Sequence, residues 1–345
     1  MSPSSKRVYI AYTGGTIGMK KAPAGYVPAA GYLQKQMKRL PELKSKKMPA
    51  FDIHEYDPLQ DSSDMTPEDW LKIADDIADR HNHYDGFVVL HGTDTMAYTA
   101  SALPFMLQGL QKPVIITGAQ IPLCEIRNDA RENLITAMLI AADFVIPEVC
   151  LCFGSKLLRG NRATKIDADG FEAFASPNFP ALGTVGTDIK INWDLVLSPS
   201  QVSEPVNVRP MSASRVAVLR LFPGISSDIV RNVLQPPPIK GVVLETYGTG
   251  NAPQDPQLIG ALQTASEQGI VIINCTQCSK GSVNMADYAT SSALAQAGVI
   301  SGFDMTVEAA LAKMACLFGR DLKPEIVKKK MQINMRGELS RPSGG

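Results

Sequence analysis

Two short strings carry the chemistry available to this chain: Thr13-Gly14-Gly15-Thr16 directly after one apolar run, and His91-Gly92-Thr93-Asp94-Thr95 directly after another. Each sets a threonine where a strand stops and a loop begins, and the second adds a carboxylate beside it. In an open parallel sheet, ligands bind in the crevice outside the carboxyl ends of the strands. Two loops at that edge can deliver a hydroxyl nucleophile and its supporting groups to one small substrate, which points to a threonine-based hydrolase. A threonine hydroxyl is a poor nucleophile at its free pKa and needs a base or a hydrogen-bonded relay. Lys165, at the end of Arg159-Gly160-Asn161-Arg162-Ala163-Thr164-Lys165, is a candidate for that relay. A lysine desolvated in a closed site moves toward neutrality and can serve as a base, although by local sequence alone Lys165 reads more readily as a solvated surface residue. Gly14-Gly15-x-x-Gly18 matches neither the dinucleotide nor the phosphate-loop glycine pattern, so no nucleotide cofactor is expected.

The elements that must position these groups alternate between strand and helix signals. That alternation predicts an α/β fold with a largely parallel sheet. Strand signals fall at 7–12, 52–56, 86–90, 114–117 and 149–153. Thr66 followed by Pro67, Glu68 and Asp69 marks a helix start, with Trp70, Ile73, Ala74 and Ile77 as its apolar stripe. A second helix is expected over 129–142, with Asn128 as its cap. A Pro- and Ser-rich stretch then reads as a linker at 199–214. It separates a larger N-terminal domain, 1–198, from a smaller α/β domain at 215–345. In the smaller domain, strands are expected at 215–221, 241–246 and 270–274. Helices are expected there at 227–234, 256–267, 291–297 and 306–317.

Composition excludes several other classes. Lys+Arg and Asp+Glu are both 34 in 345 residues, so no net field draws nucleic acid or an anionic membrane. No apolar run approaches the roughly 20 residues that span a bilayer. The run at 8–12 is too short for a signal-peptide core, so a cytoplasmic setting is expected. The six cysteines are expected to be reduced thiols. Cys275-x-x-Cys278 has no companion ligands, so no metal is expected. His81 and His83 read as solvated helix-end residues, and Lys328 to Lys330 as a surface helix face. His91 reads as a support for its own loop rather than as a reacting group.

Four motifs in order, TGGTIG at 13–18, DSSDM at 61–65, HGTDTM at 91–96 and GNRATK at 160–165, resemble those of the asparaginase family, in particular its cytoplasmic type I branch. The resemblance spans nearly the whole chain, and what it implies is specific. Thr13 would be the nucleophile, Thr93 with Asp94 and Lys165 the second catalytic cluster, and Tyr26 the tyrosine of a mobile lid over 20–31. Ser62, flanked by Asp61 and Ser63, would bind substrate, with Gly92 in the adjoining loop. The resemblance further implies a homodimer or homotetramer in which Asn251 and Tyr288 of a neighbouring copy complete the site. The substrate implied is L-asparagine, with no cofactor, and glutamine is the nearest alternative. Some type I members bind asparagine at a second, activating site. Thr164 and Cys278 fall in that region here, but Glu245 puts an acid where an activator-binding member uses a base, so a hyperbolic rate curve is expected. A transfer-RNA amidotransferase subunit would carry an extra β domain before TGGT, where this chain has twelve residues. A non-catalytic asparagine sensor is disfavoured by the presence of all four catalytic-type residues.

Overall fold

The strand signal at 86–90, GFVVL, has no polar alternation, as expected for a strand covered on both faces. In the structure, a computed structural model that describes residues 6–23, 25–199, 205–212, 215–235, 239–285 and 289–340, every residue of Gly86–Leu90 is buried. The chain divides into two compact units. One comprises Met1–Ser176 and Pro180–Val208, the other Pro177–Phe179 and Arg209–Gly345. Parts of the expected linker, 200–204 and 213–214, lie outside the described residues.

The first unit is built on an eight-stranded sheet. Across it run Ile189–Ile191, Gly183–Val185, Lys156–Arg159, Val149–Phe153, Val114–Thr117, Gly86–Leu90, Arg7–Gly14 and Ala50–Gln60. The last five of these pair in parallel, and the first three join antiparallel at one edge. Helix Ala130–Asp143 packs on the Arg7–Gly14, Gly86–Leu90 and Val114–Thr117 strands, and helix Met96–Met106 on the neighbouring Val149–Phe153 strand. The latter helix is buried at nearly every position, as its all-round apolar sequence requires. The Thr66 start signal is realised in full. Thr66 and Asp69 form a reciprocal capping box at the head of Pro67–Arg80, and Trp70, Ile73, Ala74 and Ile77 are buried.

The second unit has four parallel strands in the order Val216–Arg220, Gly241–Thr246, Val271–Thr276, Ile300–Ser301. Alternation assigns their faces, since successive side chains point to opposite sides of a sheet. Val242, Leu244 and Ile272 join Leu258 and Leu262 in one core, while Val243, Val271 and Ile273 join Met314, Leu317 and Val327 in the other. Lys313 lies fully buried in helix Val307–Phe318. Its Nζ donates to the carbonyls of Met331 (2.9 Å) and Ile333 (2.6 Å) and pairs with the equally buried Glu338 at 2.6 Å. Glu338 in turn accepts the N–H groups of Met335 and Arg336.

Several expectations shift. The first strand runs on to Gly14, so Thr13 belongs to the strand itself. The 52–56 strand extends over Ala50–Gln60. The expected lid holds a hairpin, Lys20–Ala22 with Gly25–Val27. His81 is buried rather than solvated, stacked on Phe87 at 6.0 Å, and burial lowers its pKa, with Lys112 adding to the effect. All six cysteines are free thiols, and no helix among the described residues is long and apolar enough to cross a membrane.

Candidate active site

The carboxyl ends of four adjacent strands build the site. Arg7–Gly14 delivers Thr13, Ala50–Gln60 leads into the turn Ser62–Asp64, Gly86–Leu90 leads into 91–95, and Val114–Thr117 leads into 118–121. Thr13 is buried, and its hydroxyl donates to the Leu90 carbonyl on the neighbouring strand at 3.0 Å. Gly15 explains how the loops nest. With φ 86° and ψ 173° it occupies backbone space closed to side chains, and a Cβ there would collide with the backbone of His91 and Gly92. A Cβ on Gly92 would in turn strike Ser62 Oγ. Thr95 Oγ1 ties the same two loops by donating to the Ser62 carbonyl at 2.6 Å.

Asp61 caps the Ser62–Asp64 turn, its carboxylate accepting both the N–H and the hydroxyl of Ser63 at 3.0 Å. Ser62 is buried. Thr93, Asp94 and Lys165 come together although more than 70 residues separate them in sequence. Lys165 Nζ donates to Thr93 Oγ1 at 3.0 Å and pairs with Asp94 Oδ1 at 2.8 Å. Lys165 is mostly shielded, whereas Asp94 faces solvent.

Gln120 is a member of this cluster that the sequence reading missed. The Thr93 hydroxyl donates to Gln120 Oε1 at 3.2 Å. The orientation of that amide is fixed because Gln120 Nε2 donates to the Ala168 and Gly170 carbonyls, each at 3.1 Å. The Gln120 and Ile121 N–H groups both bind the Asp129 carboxylate. Thr93 thus gives its proton to Gln120 and receives one from Lys165, a defined chain of donors. The available signal was position: Gln120 lies three residues past the apolar run 114–117, at the strand end next to the one that carries Thr93.

Tyr26 is not brought onto this cluster. It is 43% exposed, and its hydroxyl donates to Glu125 at 2.9 Å. That hydrogen bond is the main reason its pKa is raised. In the second unit, Asn251 closes a tight turn by exchanging backbone hydrogen bonds with Tyr247, and Cys278 is exposed. Glu245 pairs with Arg220 at 3.2 Å. Burial raises the Glu245 pKa, Arg220 pulls it down, and Glu308 pushes it up again. Thr164 lies in the short strand Thr164–Lys165. Tyr288 lies outside the described residues. No group of three or more His, Cys, Asp or Glu side chains among the described residues is placed to hold a metal.

A mostly parallel sheet followed by a smaller parallel-sheet unit is the fold that the four sequence motifs lead one to expect. The comparisons with known proteins agree. The family described as "Asparaginase, N-terminal" matches residues 7–197, and "Glutaminase/Asparaginase C-terminal domain" matches residues 215–331. The chain belongs to the asparaginase family of enzymes. It is 53% identical to L-asparaginase 1 of Escherichia coli over 335 residues, 97% of this chain and 98% of that one. It is 46% identical to the human 60 kDa lysophospholipase, covering 98% of this chain but 62% of that longer protein. The crystal structure of L-asparaginase I from Vibrio cholerae superposes with a TM-score of 0.91 at 51% identity, covering 98% of this chain and all of the other.

Proposed function

We propose that this chain hydrolyses L-asparagine to L-aspartate and ammonia through an ester on Thr13. Thr13 Oγ1 attacks the side-chain amide carbon of the substrate and the C–N bond breaks. The hydroxyl proton leaves with the nitrogen as ammonia, and water then cleaves the aspartyl ester. Asp94 holds the α-ammonium and Ser62, with Asp61 and Ser63 shaping its turn, the α-carboxylate. Partners for both the α-ammonium and the α-carboxylate select a free amino acid over a peptide. Thr93 with Lys165 positions the hydrolytic water, whose proton returns to Thr13 Oγ1 as the ester bond breaks, and the backbone at Gly92–Thr93 faces the oxyanion. A preorganised donor of that kind is worth about 3–4 kcal/mol.

The observation that carries this reading is the contact of the Lys165 ammonium with both Thr93 Oγ1 and Asp94 Oδ1. It joins the cation, hydroxyl and carboxylate that the chemistry needs. The Thr13 proton rests on the Leu90 carbonyl, which cannot remove it, so a base must reach Thr13 when substrate is bound. Tyr26 serves only after leaving Glu125. In this proposal the enzyme is a cytoplasmic homodimer or homotetramer, and Asn251 and Tyr288 of a second copy close the site. Ammonia release from L-asparagine, L-glutamine and D-asparagine, with wild type and Thr13→Ala side by side, tests the reading. Rapid release from L-asparagine, lost in the variant, is the expected result. Tight asparagine binding without ammonia would refute it and leave a sensor. A faster rate on glutamine would shift the substrate by one methylene, a difference worth only ~1–3 kcal/mol.

A further inference from the structure

His91 is completely buried, carries a titratable ring, and takes no part in the reaction proposed above. Its surroundings are nevertheless specific. Nδ1 lies 2.7 Å from the Gly92 carbonyl, and Nε2 lies 2.8 Å from Thr99 Oγ1, itself 2.9 Å from Trp70 Nε1.

A carbonyl oxygen only accepts, so the hydrogen must sit on Nδ1. In a neutral ring Nε2 is then an acceptor, and the Thr99 hydroxyl donates to it. Trp70 has only an N–H to give, and Thr99 receives it. The chain Trp70 to Thr99 to His91 to Gly92 therefore runs in one direction and selects a single tautomer, with every buried donor and acceptor used. Burial favours the same neutral form and holds the ring pKa down to about 4, against a smaller opposing effect of the Gly92 contact.

The consequence lies one peptide further on. In a trans peptide the C=O and N–H point in opposite directions, and the cis bond recorded among the described residues is Asp57–Pro58, not Gly92–Thr93. A Gly92 carbonyl drawn inward to a fully buried ring turns the Thr93 N–H outward. Among the described residues no protein acceptor meets that N–H. Gly92, with no Cβ, lies directly against Ser62, and Gly15, equally bare, lets the His91–Gly92 backbone approach it.

The structure assigns to His91 the part of a positioning residue: its Nδ1–H fixes the Gly92 carbonyl and thereby aims the Thr93 N–H at the oxygen that becomes negative as Thr13 attacks. This rests on the amidohydrolase reading above. Thr99 and Trp70 set the tautomer, so their influence on the reaction passes through the ring and then through one peptide plane.

The test uses the full chain labelled with 15N in its imidazoles. Only four histidines are present, so His91 can be assigned from its loss in His91→Asn. The wild type is expected to show a protonated Nδ1 and a bare Nε2; a protonated Nε2 would overturn the assignment without any activity measurement. Thr99→Val, which removes the donor to Nε2, is expected to lower kcat ~10–100-fold, less than or similar to the loss of a whole oxyanion donor, with KM changed little. Thr99→Ser restores both the ring signal and kcat. As a second pair, His91→Asn keeps a donor near Nδ1, whereas His91→Gln carries its amide too far along. A kcat ratio of ~10 or more in favour of Asn is expected from misaiming of the peptide. Equal kcat in that pair, or wild-type kcat in folded Thr99→Val, would overturn the role of His91 while leaving the amidohydrolase reading intact. A wild type that releases no ammonia from L-asparagine would instead overturn that reading, and this role with it.

Discussion

Acidification offers a direct measure of how strongly the fold depends on a neutral His91. In an unfolded chain the ring titrates near 6.5, and in the native protein near 4. The native value is the lower, so between these limits the unfolded chain takes up the proton first. The stabilising contribution is whole above about pH 6.5 and is lost as pH falls toward 4. At 1.36 kcal/mol per pH unit the gap amounts to about 3 kcal/mol, of which about 2 kcal/mol disappears between pH 7 and 4.5. Carboxylates titrate in the same range, so the wild type must be compared with His91→Asn, which cannot titrate there. Urea unfolding followed by tryptophan fluorescence is the suitable assay. Both tryptophans, Trp70 and Trp193, lie in the first unit, and Trp70 touches the network itself. The unfolding free energy of the wild type minus that of the variant is expected to fall with a slope approaching 1.36 kcal/mol per pH unit. A difference that stays flat from pH 7 to 4.5 would refute the claim that His91 is held neutral.

Two other perturbations have equally definite outcomes. Lys313→Met strands the buried Glu338 and two carbonyls, and should destabilise the second unit by about 3–5 kcal/mol. Lys313→Met with Glu338→Gln should recover part of that loss, as read by circular dichroism in urea. Gly15→Ala forces a Cβ into the Gly92 backbone at a conformation closed to alanine. It should cost about 1–3 kcal/mol in backbone strain and lower kcat about 100-fold by displacing the nested loops, measured by thermal unfolding and ammonia release.

Where a local physical rule was sufficient, the amino-acid sequence foretold the fold. The unbroken apolar runs at 86–90, 114–117 and 149–153 became buried parallel strands, and Thr66-Pro67 with Asp69 became a capped helix start. The antiparallel edge strands Gly183–Val185 and Ile189–Ile191 were not legible, because short, partly exposed strands with Thr184 and Lys190 carry no apolar signature. Thr13, Thr93 and Asp94 could be nominated from strand-end position alone. Lys165 could not, since its contact with Thr93 spans 72 residues, and only resemblance singled it out. Gln120 escaped for a related reason: its amide is fixed by the carbonyls of Ala168 and Gly170, partners that no nearby residue announces. His81 was misjudged because a charged helix end hid its packing against Phe87.

The nesting of loops bears on how such an enzyme can change. Where the strands that carry them end, the surface is main chain against main chain: side chains on Gly14, Gly15 or Gly118 would strike the backbones of Gln60, Gly92 and His91. No substitution that adds a Cβ at these positions fits without moving the facing backbone. The hairpin that follows the Thr16–Gly18 turn is different, for Gly25 has open space around a would-be Cβ, although its φ of 112° still favours glycine. Tolerance of new side chains is therefore uneven along the chain. A library confined to 20–31 leaves Thr13, Thr93 and Lys165 as they are.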